Sequence, residues 1–376
     1  MNRLRAAAVF LFCAAGIAWE ATAAEEPGAV TVFPPSAYQA PAEFAGQLGD
    51  YRSPLLRDDG SRVSTAAEWP ARRAELLRHW QRELGAWPPL IERPQLEELS
   101  REERPGYSQR HIRLQIAPDR TTDDAYLLVP PGPGPFPAVL VVYYEAKTGI
   151  GEGKEPLRDF ASQLARRGFV ALSLGSDPNT YYPSREQATL QPLAFHAYVA
   201  ANAASALAAL PMVDAQRIGV VGHSYGGKWA LFAACLYDRF AAVAVSDPGI
   251  VFDEGRPNVN YWDQWYLGYE PGKERPRGGP RAGVSRTGAY RRLVEQGRDL
   301  HELHALLAPR PLLVSGGSED PPERWRALNH LVAVNRLLGR ERRVAMTNRP
   351  DHAPTAESNA QLYAFLAEHL QSARQQ

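Results

Sequence analysis

The run RIGVVGHSYGGKWALFAAC, residues 217–235, limits the possible folds more than any other stretch. A strand-like apolar segment passes through GHSYGG straight into a helix-like one, leaving no room for a loop. A strand that turns so abruptly into a helix lifts the residue at the turn above the edge of a sheet. Gly222 and Gly226 keep side chains out of the space where the two backbones converge. Over five residues the motif is G-x-S-x-G, with Ser224 as the presented nucleophile. Over eight it approaches the phosphate-cradling G-x-x-x-x-G-K-[ST]. That reading needs a hydroxyl for Mg²⁺ where this chain has Trp229. The serine reading is therefore the one to follow.

The rest of the chain supplies a matching framework. AVLVVYY at 138–144 is a continuous apolar run, as expected for a strand covered on both faces. PLRDFASQLARRG then reads as a helix, FVALSLG as a strand and QPLAFHAYVAANAASALAAL as a long helix. After the serine turn come strands in FAAVAVSDPG, PLLVSGGSED and RRVAMTNRPDH, with helices over about 323–338 and 355–372. HIRLQIAP and AYLLVP read as a strand pair ahead of them. This alternation predicts an α/β fold, a mainly parallel central sheet with helices on both faces. The expected domain spans 111–376, interrupted by an irregular insertion at about 251–300 that carries Tyr261, Trp262, Trp265, Tyr266 and Tyr269. Ahead of it, 24–110 reads as an arm and one helix with Leu76, Leu77, Trp80 and Leu84 inward, stopped by Pro88 and Pro89.

Residues 1–23 have the basic start, short apolar run and Ala21-Thr22-Ala23 of a secretory signal, which predicts a secreted or periplasmic protein. The run is short for a membrane span, so no membrane association is expected after cleavage. Without the signal, Cys235 is the sole cysteine, which excludes an internal disulfide framework. A formal net charge of +0 and no basic run interleaved with aromatics argue against a nucleic-acid partner. Oligomeric state is not legible.

A serine hydroxyl needs a base to take its proton. His352, in NRPDHAP after the final strand, has the right position, whereas His79, His196, His330 and His369 fall in helices, His111 in a strand and His223 in the turn. The base needs a carboxylate to fix its tautomer. Asp320, past LLVSGGSE, is the expected acid; Asp247, ending the strand one earlier, is the alternative, and Glu319 is displaced by one residue. For the oxyanion, the backbone N–H of Tyr225 is one expected donor, and Glu145 or Ala146 after VVYY supplies the other. None of this chemistry calls for a metal or cofactor. His301-Glu302-Leu303-His304 lacks H-E-x-x-H spacing and a third ligand, and reads as ordinary helix surface.

With these residues in view, 111–372 resembles the α/β-hydrolase superfamily, and in particular its secreted carbohydrate-esterase and dienelactone-hydrolase-like branches. GHSYGGKWA with SDPG, and HALLAPRPLLVSGGSED, are similar to stretches in glucuronoyl esterases and acetyl xylan esterase-like proteins. The resemblance implies a serine esterase acting on a small-molecule or polysaccharide ester. Glucuronoyl esterases have G-C-S-R-x-G-K at the turn, with a lysine that contacts sugar hydroxyls, so Lys228 is implied as a substrate-binding residue. Where they carry arginine after the serine, this chain has Tyr225. Trp262 and Trp265 are expected to form a sugar-facing wall, or else to pack the insertion onto the core. Two other readings stay open: a prolyl-oligopeptidase-like peptidase, and a non-catalytic carbohydrate-binding relative.

Overall fold

The computed structural model describes residues 32–281 and 283–371, so the signal expected at 1–23 lies outside the described residues. In chain order the helices and strands are α1 (Trp69–Leu84), β1 (Leu96–Arg104), β2 (Tyr107–Ala117), β3 (Arg120–Thr122), β4 (Ala125–Val129), β5 (Phe136–Tyr143), α2 (Ala146–Gly149), α3 (Phe160–Arg166), β6 (Val170–Gly175), α4 (Pro192–Ala208), β7 (Val213–His223), α5 (Tyr225–Leu236), β8 (Ala242–Ser246), α6 (Gly288–Glu295), α7 (Leu300–Ala305), β9 (Leu312–Gly316), α8 (Trp325–Leu337), β10 (Val344–Asn348) and α9 (Ala356–Leu370). They form one sheet in the order β1-β2-β4-β6-β5-β7-β8-β9-β10, with β3 paired to β2 off this path. Strands β5 to β10 run parallel, while β1, β2 and β4 are antiparallel additions at one edge.

The alternation of apolar side chains along the strands splits the core into two layers. Leu140, Val142, Val220, Val243 and Val245 face α1, α4, α5, α7 and α8. Val139, Val141, Val221, Ala244 and Leu313 face α3 and α9. Cys235 is buried, as its apolar surroundings suggested. Leu76, Trp80 and Leu84 of α1 are buried as expected, but the helix ends at Gly85, with φ 93°, before the prolines are reached. A Cβ there would lie 2.2 Å from the Thr189 carbonyl oxygen, so that close approach needs glycine.

Two further expectations change. The sheet begins at Leu96 rather than near 111, so the segment assigned to an arm supplies the outermost strand. LEELSREER shows no apolar alternation because β1 is an exposed edge, and its charged side chains protect that edge from pairing with other chains. The His301–His304 stretch is buried, not surface: the arm covers α7, with the carbonyl of Arg52 accepting from His301 Nε2 at 2.6 Å.

Candidate active site

Ser224 stands between β7 and α5 with φ 55° and ψ −114°, a conformation that non-glycine residues adopt at a cost. The turn holds because the chain around it is stripped of side chains. A Cβ on Gly222 would lie 2.3 Å from the Gly226 carbonyl, and one on Gly226 would lie 2.0 Å from the Val142 carbonyl oxygen. The amide of Ser224 donates to the Ser246 carbonyl at 2.8 Å, tying the turn to the end of β8.

His352, on the loop between β10 and α9, reaches Ser224. Its Nε2 lies 2.9 Å from Ser224 Oγ, and its Nδ1 lies 2.8 Å from Asp247 Oδ2. A proton on Nδ1 directed at the carboxylate leaves Nε2 as the acceptor for the serine hydroxyl. Asp247 directly follows β8, is fully buried and has φ 50°. Its Oδ1 accepts from the amides of Gly317 at 2.7 Å, Glu319 at 3.1 Å and Asp320 at 2.8 Å. Those amides fix the carboxylate beside the imidazole.

The acid expected from the sequence, Asp320, is not the residue against His352. Its backbone amide serves Asp247, while its own carboxylate accepts from Gly249 at 2.7 Å and Ile250 at 2.6 Å. Asp320 therefore braces the loop that follows Asp247. Burial, together with the charge of Asp247, raises its pKa. Glu319 accepts from Asn258 Nδ2 at 3.0 Å, and its other oxygen is buried without a partner.

Of the two oxyanion candidates after β5, Ala146 is occupied, since its amide donates to Asp124 Oδ1 at 3.0 Å. That leaves the Glu145 amide, at the N-cap of α2, and the Tyr225 amide at the first position of α5, where helical N–H groups lack intrahelical acceptors. Lys228 lies one turn beyond Ser224 but is buried; its Nζ donates to the Asn258 carbonyl at 2.7 Å, near the rings of Tyr261 and Tyr266. Burial lowers its pKa to about 8. Trp262 is 1% exposed and packs on Tyr290, so it belongs to the core and presents no face to a substrate. Trp265 is half-buried beside Tyr266.

Several supporting residues gave no sequence signal. Arg349 donates to the carbonyls of Ser315 at 2.9 Å, His352 at 2.6 Å and Ala353 at 2.8 Å, fixing the loop that carries His352. His223 lies with its ring centroid 4.7 Å from that of His352, and burial holds its pKa well below the usual value. Among the described residues, Asp247, Glu319 and His352 are the acid–histidine group close enough to share a metal, within 4.8 Å. Both His352 nitrogens and both Asp247 oxygens are already engaged, which leaves little for an ion.

Comparison with known proteins bears on the fold. The prolyl oligopeptidase family profile matches residues 200–373, and the dienelactone hydrolase family profile matches 124–251. A mouse protein, acyl-coenzyme A thioesterase 3, is 29% identical over 140 residues, or 37% of this chain and 29% of that one. The match thus spans under a third of that relative's length. A glucuronoyl esterase from Solibacter usitatus superposes with TM-score 0.66 at 18% identity, covering 85% of this chain and 97% of the other. A glucuronoyl esterase from Teredinibacter turnerae gives 0.61 at 19%, covering 85% and 89%. A putative acetyl xylan esterase from Bacteroides fragilis gives 0.55 at 15%, covering 83% and 94%. The chain has the α/β-hydrolase fold that its serine turn and strand–helix alternation led us to expect.

Proposed function

We propose that the protein is an exported serine esterase acting on carbohydrate esters. The observation that carries this reading is the hydrogen-bonded line Ser224–His352–Asp247 at the end of β7, in a fold shared with glucuronoyl and acetyl xylan esterases. Ser224 Oγ attacks the ester carbonyl while His352 Nε2 takes its proton. The amides of Tyr225 and Glu145 receive the developing oxyanion. His352 then returns the proton to the departing alcohol, and a water activated by the same imidazole releases the acyl group from Ser224. Asp247, 2.8 Å from Nδ1, holds the imidazole in its productive tautomer. Export rests on the leader at 1–23. Among the described residues, no helix is long and apolar enough to cross a membrane.

Acetylated xylan, methyl glucuronate esters, short p-nitrophenyl esters, a dienelactone and a proline-containing peptide form the test panel. The reading predicts kcat/KM highest on a sugar ester. Hydrolysis of the peptide or the lactone alone would overturn it. The peptide belongs in the panel because the prolyl oligopeptidase profile covers the part of the chain holding Ser224 and His352.

In this reading, the buried Lys228 acts on sugar binding through the Asn258 carbonyl that its ammonium holds. With a pKa lowered to about 8, the side chain is a charged donor below that pH and neutral above it. KM for the sugar ester should therefore rise as pH passes about 8, and Lys228→Met should flatten that rise. A KM profile unchanged by the substitution would leave Lys228 no part in substrate binding.

A further inference from the structure

We propose that Tyr144 is the platform on which the sugar ring of the substrate lies, an inference that rests on the carbohydrate-ester reading above. Its position in the fold is the first reason. β5 and β7 are adjacent and parallel, but the chain leaves β5 for β6 on one side and builds β8 to β10 on the other. Ligands of open α/β sheets bind in the crevice at such a switch point, beyond the carboxyl ends of the strands. Val142 pairs with Gly222 across this point, so Tyr144 and Ser224 each stand two residues past the matched pair. Tyr144 also directly precedes Glu145, the second proposed oxyanion donor.

Exposure is the second reason. Tyr144 is 59% exposed, the most open aromatic side chain among the described residues. It is nonetheless fixed. One face stacks on Tyr225 at 4.0 Å and 10°, the hydroxyl lies 3.2 Å from that of Tyr266, and the carbonyl accepts from the Ser176 amide at 3.1 Å. A ring held this way presents its other face to solvent and loses little further freedom when something covers it.

The surrounding chemistry favours a pyranose as that partner. Tyr225 fills the place after the nucleophile, and its hydroxyl turns inward to His196 Nδ1 at 2.9 Å, so that corner offers a stacked aromatic pair. The C–H face of a pyranose packs on such a surface, while its hydroxyls remain free for solvent. Tyr144 thus takes the role the sequence suggested for Trp262 and Trp265, the first absorbed by the core and the second half-buried.

The test compares acetylated xylobiose and methyl glucuronate with ethyl acetate and methyl glycolate, which have the same reacting groups without a ring, and with phenyl acetate. Tyr144→Ala should lower kcat/KM for the sugar ester about tenfold more than for its ringless counterpart, mainly through KM, the size expected for a stacked ring. Tyr144→Phe keeps the ring and should restore most of the loss. Equal losses on sugar and ringless esters in Tyr144→Ala would make the residue structural and overturn the proposal. A loss confined to phenyl acetate would overturn it in favour of an aryl subsite. Wild-type protein that hydrolyses ethyl acetate but neither sugar ester would instead overturn the carbohydrate reading, and this inference with it.

Discussion

Replacing Ser224 with alanine is expected to lower ester turnover by about 10⁵–10⁶-fold, the scale seen when a serine hydrolase loses its nucleophile. The fold should survive. Alanine inherits the same backbone strain at φ 55°, and the substitution removes the 2.9 Å hydrogen bond between Oγ and His352 Nε2. Circular dichroism and the unfolding midpoint of Ser224→Ala should match wild type within a few degrees. Any residual rate would come from the Tyr225 and Glu145 amides acting on a bound ester with water as nucleophile. A variant that keeps substantial activity would mean that Ser224 does not form the acyl-enzyme.

The second large effect separates two neighbouring carboxylates. In Asp247→Asn, the new amide group would donate toward His352 Nδ1 and force the ring proton onto Nε2. The base could then no longer accept from Ser224, and kcat should fall by about 10⁴-fold. Asp320→Asn should act differently. It weakens the acceptors for the Gly249 and Ile250 amides, at a cost of about 1–3 kcal/mol in stability, with a much smaller loss of kcat. Measuring kcat and urea unfolding for both variants gives a crossed pattern if Asp247 orients the base. The reverse pattern would return that role to Asp320.

That distinction explains how far the sequence could be read. The pairing of Ser224 with His352 was legible because a sharp strand-to-helix turn and the loop after the last strand are positions set by topology. The carboxylate that lies against His352 was not, because β8 and β9 are adjacent strands that both lead into loops bearing an aspartate. Two backbone features decide between them. The left-handed conformation of Asp247 aims its carboxylate at His352, whereas the chain beyond Gly316 brings the Asp320 amide to Asp247 and sends its carboxylate to the Gly249–Ile250 turn. The insertion was opaque for a related reason. Without a periodic pattern, Trp262 and Trp265 looked equivalent, yet one lies in the core and the other only half beneath the surface. Tyr144 was hidden by continuity: in VVYY it extends an apolar run, and only the end of β5 at Tyr143 reveals that its side chain faces out. The edge strand β1 was missed because its charged residues protect the edge and leave no apolar alternation to detect.

The most direct measurement is the intact mass of the protein after exposure to a fluorophosphonate, followed by peptide mapping. The account predicts one adduct per chain, on Ser224, formed slowly in Asp247→Asn and absent from Ser224→Ala. An adduct on a different serine, or none in a protein that still hydrolyses esters, would contradict it.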